Sequence, residues 1–596
     1  MSVPPATDGS DAAHARDTLA EAVCAVRDRL LQQMCPDGHW EGRLSSSALS
    51  TATALAAFAL AAEPGDRSRL AAGTTWLANN QNTDGGWGDT TDSPSNLATT
   101  LLAVAALNLV NSAAGGSGHP PAGPAGILEK ARGYVARRAG DSPRGIVEAV
   151  RREYGTDRTF AIPILMNCAL AGLVGWDEIP GLPFELAILP HAWYKALRLH
   201  VVSYALPALI AIGLLIDRRN PPPGILRRLV RRAVAPRVLE KLRQIQPEHG
   251  GFLDATPLTS FVAMAMLPLY GRDHPVVARC LGFLRQSQRA EGAWPIDTNL
   301  SVWLTTAAVA ALASTGKAPR FDRVRTARWI AARQYTMRHP YTDAEPGGWS
   351  WTHLAGGVPD VDDTSGAIIA LRELKSDEGV ADGVRWLLAL QNGDGGWPTF
   401  CRGWGKLPFD RSAPDLTAHA LSALHSAEPV TTRPLRRAIR RGLKYLARTQ
   451  RANGSWLPLW FGNQAAPGQT NPVLGTSRVL RALESLDHGG PAAARGVQYL
   501  LHAQNTDGGW GGAADSCTAS SAEETAAAAA ALAPWTQMPA VRESLLRGVR
   551  YLVDRVPGLG ERPAPIGLYF AHLWYSEPLY SLIWTLDALG RVARCA

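Results

Sequence analysis

The sequence predicts an all-α protein of two α/α barrels with a large apolar cavity between them. Three observations carry that expectation: a recurring Gln-to-Trp phrase, Ala/Leu-rich helical stretches around it, and the want of any strand-period pattern. The phrase is Gln, a few polar residues, then Gly-x-Trp. It runs from Gln81 to Trp87, Gln288 to Trp294, Gln391 to Trp397, Gln450 to Trp456 and Gln504 to Trp510, with looser versions from Gln33 to Trp40 and from Gln334 to Trp349. Neighbouring copies in the second half lie roughly 50 to 60 residues apart, a period suited to an array of helical hairpins.

Each copy has the same surroundings. An aromatic-Leu helix such as RGLKYLARTQ precedes the Gln, and a turn followed by a Thr-initiated helix such as LTAHALSAL comes after the Trp. The Asn/Asp-Gly pairs supply the positive φ of a tight turn, and the Thr is expected to cap the helix that follows. The Trp is expected to pack under the turn while the Gln amide bonds backbone groups at a neighbouring helix end. Such hairpins bury an apolar stripe on both helices, so they close into an inner and an outer ring.

At 596 residues, 46% hydrophobic and 19% charged, the chain is long enough for two cores. The copies thin out between Trp87 and Trp294, around a Gly/Pro-rich loop beginning at Ala114. Three regions follow: residues 1–29 as a tail and helix joining the catalytic barrel, 30–290 as an inserted second barrel, and 291–596 as the catalytic barrel. The first sixteen residues are polar without an apolar run, so no secretory signal is read there. Seven cysteines without a close C-x-x-C pair indicate reduced thiols, and neither a disulfide framework nor a Cys-based zinc site is expected. The net charge of +8 comes mainly from unevenly spread arginine, and no nucleic-acid partner is read from it.

The chemistry concentrates in Asp360-Val-Asp362-Asp363-Thr364, three carboxylates within four residues just before an apolar helix. Capping explains one of them, not three. Repulsion among them predicts that at least one keeps its proton at neutral pH. Superposing the inner helices on Ala311-Leu312, Ala370-Leu371, Ala423-Leu424 and Ala531-Leu532 brings Trp303, Asp362, Asp415 and Glu523 to one position in successive repeats, expected to ring one barrel mouth. His419 falls one turn deeper than Asp415 on the same face. A strong acid in a dry, tryptophan-walled chamber suits protonation of an unactivated alkene, with aromatic faces stabilising the carbocations by about 2 kcal/mol or more each when desolvated. The aromatic supply is ample in Trp193, Trp303, Trp349, Trp351, Trp404 and Trp460, and again near the C-terminus in Tyr569, Phe570, Trp574 and Tyr575.

The Gln-to-Trp repeats combined with PDVDDT resemble the squalene–hopene cyclase branch of the class II terpene cyclases, most clearly from about Trp294 onward. The resemblance implies that Asp362 is the proton donor with Asp360 and Asp363 as partners, and that His419 and Asp415 in DLTAH sharpen that acid. It implies cavity positions for Trp303, Trp351, Trp460 and Trp193, beside the C-terminal aromatics Tyr569, Phe570 and Tyr575. Polycyclisation of squalene without cofactor or metal, by a monotopic protein at the cytoplasmic face of the membrane, is the expected activity; a homodimer stays open. Two departures stand out. Leu304 follows the cavity tryptophan where the family usually has Asp, and Gly356-Gly357 stand where relatives are aromatic.

Between Ile225 and Ala233, apolar Ile225, Leu226, Leu229 and Val230 share one helical side and Arg227, Arg228, Arg231 and Arg232 the other, a pattern suited to an anionic membrane surface. The run from Val201 to Ile216 contains Pro207 and is too short to span. Competing readings are a cyclase of a shorter, partly cyclised or aromatic-linked polyprene, a zinc protein prenyltransferase subunit, for which no suitable Cys–His pairing is seen, and a non-catalytic helical scaffold.

Overall fold

The structure, a computed structural model, describes residues 8–115, 126–155, 158–190, 193, 196–197, 205–316, 321–340, 342–400, 408–427, 432–514, 518–569 and 573–595. Most of the Gly/Pro-rich loop after Ala114, together with Trp404, Phe570, Cys401 and Cys517, lies outside the described residues. Cys24, Cys35, Cys168, Cys280 and Cys595 are free.

Two rings of inner helices close on themselves. In the larger one, Ser301–Ser314, Val361–Glu373, Pro414–Ser426, Pro472–Ser485, Ala522–Leu532 and Pro578–Cys595 pack each on the next, and the last returns to the first. In the other, Ala48–Ala61, Leu97–Gly115, Arg158–Leu170, Leu206–Arg219 and Thr256–Tyr270 close in the same way. Inner helices are covered on both sides, which is why Ala48–Ala61 is buried almost throughout and rich in small residues. Outer helices are amphipathic: Arg433–Thr449 buries Leu435, Ala438, Gly442, Tyr445 and Leu446 and turns its arginines outward. The N-terminal helix Asp8–Gln32 packs on Pro578–Cys595 as an outer helix of the larger barrel.

The Gln-to-Trp phrase is the stitch between hairpins. Trp397 is fully buried; its Nε1–H donates to the Leu387 carbonyl at 2.8 Å and its backbone N–H to Thr417 Oγ1 at 3.0 Å. Gln391 Nε2 donates to Gly395 O in its own turn and to Ala438 O on the next outer helix, at 2.8 and 2.9 Å. The same set recurs at Trp87, Trp456 and Trp510. Burying each indole contributes up to about 4–6 kcal/mol of transfer free energy. The threonines are therefore not helix caps, as the sequence suggested. They sit one turn inside, where the hydroxyl answers the Trp N–H, and the capping falls to Asp360, Asn471 and Ser521. A further copy is hidden in Gln246 to Phe252, with Phe in place of Trp: Gln246 Nε2 bonds Gly250 O and Phe252 N–H donates to Thr259 Oγ1.

These stitches move the expected boundaries at 30 and 290. Trp40 N–H donates to Thr305 Oγ1 of the larger barrel, and Trp294 N–H to Thr51 Oγ1 of the smaller one, each the reverse of its assignment from sequence. The chain crosses between barrels after each of these turns, so the crossing follows the stitch rather than the helix start.

The helix Ile225–Ile245 also departs from expectation. Arg231 is not on a solvated face; it is 2% exposed and paired with Glu185 at 3.0 Å and Asp217 at 2.8 Å, because that side of the helix packs on Leu206–Arg219 and Phe184–Ile188. The apolar side faces outward instead, with Ile225 70% and Leu226 77% exposed and Leu229 and Val230 exposed beside them. Among the described residues no helix is long and apolar enough to cross a membrane.

Candidate active site

Between the barrels lies an apolar cavity of about 1190 Å³ of empty space, partly open to solvent. The smaller barrel contributes Phe160, Pro163, Pro257 and Phe261 to its wall; the larger contributes Trp303, Trp351, Phe400, Trp460 and Tyr575. At one end stand Asp360, Asp362 and Asp363. The three acids share an origin at the start of the Val361–Glu373 helix but have different partners.

Asp360 is the helix cap, its Oδ1 accepting from the Asp363 N–H at 2.9 Å. Asp362 lies between an imidazole and a guanidinium. His419 Nδ1 is 2.5 Å from its Oδ1, and Arg478 Nη1 donates to both oxygens at 3.1 and 3.2 Å. Asp363 Oδ1 is buried with no partner among the described residues. Burial opposes the charged form of all three. At Asp362 Arg478 and His419 overcome it, holding the carboxyl down to about 2. Asp360 has no such cation, and burial with the neighbouring Asp362 pushes it up to about 7. Asp363 is raised well above the usual carboxylate range, by burial first and by Asp360 and Asp362 next. The expected protonated acid is thus present, at the positions flanking Asp362.

Arg478 was not singled out in the sequence. It lies four residues before Ala482-Leu483, the register that places His419 four before Ala423-Leu424, so extending the superposition by one repeat would have found it. Its guanidinium lies against the rings of Trp303 and Phe461, at 5.3 and 4.8 Å, which holds Nη1 on the two oxygens of Asp362. Asp415 stands behind this layer, fully buried, with Oδ2 accepting from the Leu459 N–H at 3.1 Å, and burial raises it to about 6.

On the other side of Trp303, His419 and Arg478 the lumen of the larger barrel continues as a second cavity, lined by Ala307, Ala310 and Ile369 together with the polar His425, Arg481, Glu484, Asp587 and Arg591. Asp587 there pairs with Arg481 at 2.8 Å and Arg591 at 2.9 Å.

The profile of the squalene–hopene cyclase C-terminal domain matches residues 300–594 and that of the N-terminal domain residues 23–143; a prenyltransferase α–α toroid profile matches 196–348. The chain belongs to the squalene–hopene cyclase family. It is 26% identical to the enfumafungin synthase of Hormonema carpetanum over 98% of this chain and 48% of that protein, and so spans about half the length of that relative. It is 25% identical to a probable squalene–hopene cyclase of Sinorhizobium fredii, covering 83% of this chain and 82% of the relative. The solved ent-copalyl diphosphate synthase of Streptomyces platensis shares the fold at a TM-score of 0.57 and 20% identity, covering 97% of this chain and 99% of that one.

Within this family frame the structure brings together Asp360, Asp362, Asp363, Trp303, Trp351, Trp460 and Tyr575 on one cavity wall, with His419 and Asp415 directly behind. Trp351 is aimed by its Nε1–H on Asp297 Oδ2 at 2.9 Å, and Tyr575 Oη is 2.8 Å from Tyr580 Oη. Two expected residues are placed elsewhere. Trp193 is 52% exposed and does not line the cavity. Glu523 faces a different groove, its carboxylate accepting from the Ala564 N–H at 3.1 Å, because the chain around residue 564 folds over that helix start. The side chain of Tyr569 and all of Phe570 fall outside the described residues.

The departures have local causes. Leu304 is fully buried and turned toward Gly42 and away from the cavity wall, so the wall loses no acid there. Gly356 lies so close to the smaller barrel that a Cβ would come within 2.6 Å of Asp254 N and 2.7 Å of Gly251 O. Its glycine permits contact between the acid-bearing loop and the other barrel.

Proposed function

We propose that the protein is a class II terpene cyclase that protonates a linear polyprene, squalene in the first instance, and folds it into a polycyclic product without cofactor. The observation that carries this reading is one carboxyl, Asp362, facing an oily aromatic cavity on one side and held on the other by Arg478 and His419. A proton placed on Asp362 sits on a strong acid, since its loss leaves a carboxylate already met by Arg478 and His419. The neighbours hold protons more tightly than Asp362 does: burial raises Asp360 to about 7 and Asp363 well above the usual carboxylate range, so they can load the cluster. Trp303, Trp351, Phe400 and Trp460 then offer ring faces to the advancing cation and no nucleophile to trap it.

The deciding experiment is incubation of purified protein with a panel of squalene, shorter linear polyprenes, partly cyclised polyprenes and prenylated aromatics, with product analysis by mass spectrometry. Polycyclic triterpene from squalene is expected; turnover of the short substrates alone would replace squalene with one of them, and inertness toward every unactivated polyprene would end the enzyme reading.

The outward apolar side of Ile225–Ile245, with Arg227, Arg228 and Arg232 beside it, supports docking of the protein on one leaflet of an anionic membrane such as the cytoplasmic face. It adjoins the far end of the Leu206–Arg219 helix, at whose start, about 20 Å along the helix, Ala205 lines the cavity. Replacing both Leu226 and Leu229 with Glu is expected to lower co-sedimentation with phosphatidylglycerol vesicles by more than about tenfold. Turnover of detergent-dispersed substrate should be kept.

A further inference from the structure

A second cluster lies away from the cavity, in the turn Cys35-Pro-Asp-Gly-His39-Trp40-Glu41. One donor atom each from Cys35, His39 and Glu41 lie within 4.8 Å of one another. The turn is closed by the Cys35 N–H on His39 O at 2.8 Å and the Gly38 N–H on Cys35 O at 2.9 Å, which folds residues four apart onto one point. His39 is 7% exposed and stacked on Trp329 at 4.4 Å. Its Nδ1 lies 2.6 Å from Asp37 Oδ1, while its Nε2 is buried with no hydrogen-bond partner.

We infer that Cys35 Sγ, His39 Nε2 and a Glu41 carboxylate oxygen form a Zn²⁺ site. A thiolate, an imidazole and a carboxylate are a donor set that borderline-soft zinc accepts, and calcium or magnesium would not use the sulfur. The surroundings are those of a ligand set. Asp37 Oδ1 engages Nδ1 of His39, so Nε2 is the ring nitrogen left for a ligand, and Asn299 Nδ2 donates to Glu41 Oε1 at 3.0 Å, so both ring and carboxylate are held from behind. Zinc–ligand distances of about 2.0–2.3 Å require the donors to close by a few tenths of an ångström to about 1 Å. Glu41 is exposed and Cys35 half-buried, so both have room to turn. The fourth position is left to solvent. The ion would tie the first turn of the chain to the loop carrying Trp351, because Asn299 also accepts from Thr352 Oγ1 at 2.8 Å and His353 meets His39 edge-on at 5.8 Å. This site is independent of the proposed reaction.

The test is Co²⁺ titration of the chelator-treated, dialysed full-length protein, followed by displacement with Zn²⁺. One equivalent is expected to give a thiolate-to-cobalt charge-transfer band and d–d bands of a four-coordinate ion, both erased by zinc. Cys35→Ser is expected to remove the charge-transfer band, a Cys595→Ser control to leave it, and Asp37→Asn to weaken binding about 10–100-fold. Zn²⁺ should also slow alkylation of Cys35 in the unaltered protein, measured by peptide mass spectrometry, a readout that needs no variant to fold. Absence of a thiolate band at one equivalent, its survival in Cys35→Ser, or alkylation of Cys35 at the same rate with and without zinc would each overturn the site.

Discussion

Asp362→Asn is expected to lower turnover of any accepted polyprene by about 10²–10⁴-fold or more while leaving the folded protein intact. The amide keeps the size of the carboxyl and its contact with Arg478 but has no acidic proton to give to an alkene. Folding should survive because the helix cap is Asp360, whose bond to the Asp363 N–H does not involve residue 362. The comparison with Asp360→Asn is informative: that change also removes a carboxyl, yet Asn remains a competent cap and the cations around Asp362 are untouched, so a smaller loss is expected. Single-turnover assays with matched circular dichroism spectra check both. Full activity in Asp362→Asn would remove the donor role from this residue.

Arg478→Met is expected to produce the second large effect, with a signature that separates acid strength from packing. Methionine keeps an apolar side chain between Trp303 and Phe461 but takes the guanidinium away from Asp362. The Asp362 pKa then rises, and each unit of rise makes the proton about tenfold less acidic. The pH profile should move in a stated direction. In the unaltered protein, activity is expected to fall as pH rises through about 7, because Asp360 loses its proton there and a new negative charge beside Asp362 weakens it as a donor. Removing the guanidinium raises Asp362 and Asp363, the two acids of the cluster it bears on, so the plateau drops, and the declining limb in Arg478→Met moves to higher pH through Asp363, which is hydrogen-bonded to Asp360. Arg478→Lys should restore part of the plateau. A drop in rate with an unmoved pH limb would mean that Arg478 serves packing alone.

The residues that the sequence made legible are those whose place depends on position along a helix. Small-residue periodicity and the Gln-to-Trp phrase give the inner and outer rings, and one register places Trp303, Asp362 and His419 at the cavity end of the larger barrel. That register is silent on what crosses from elsewhere. It aligned Glu523 with Asp362 correctly, but the chain near Ala564 covers that helix start and donates to its carboxylate. It put Arg231 on a polar side without the means to see Glu185 and Asp217 arriving from two other segments. The threonines looked like caps because a cap and a first-turn hydroxyl differ by one turn, and only the bond to the Trp N–H tells them apart. Arg478 has the same register as His419, but a register alone does not show what meets the charge of a buried arginine. Its charge is cancelled there by Asp362, which is a fact of three-dimensional pairing.

The layer formed by Trp303, His419 and Arg478 is a partition with oil on one face and, on the other, a wall where ionic side chains interrupt small apolar ones. Were a hydrocarbon guest to fill the oily room, it would shield the carboxyl from the front, and a spent acid would then draw its next proton from the rear, along the barrel's own axis. Fuel and feedstock would then use separate doors, and the reactive cation need never meet the water that restocks the catalyst.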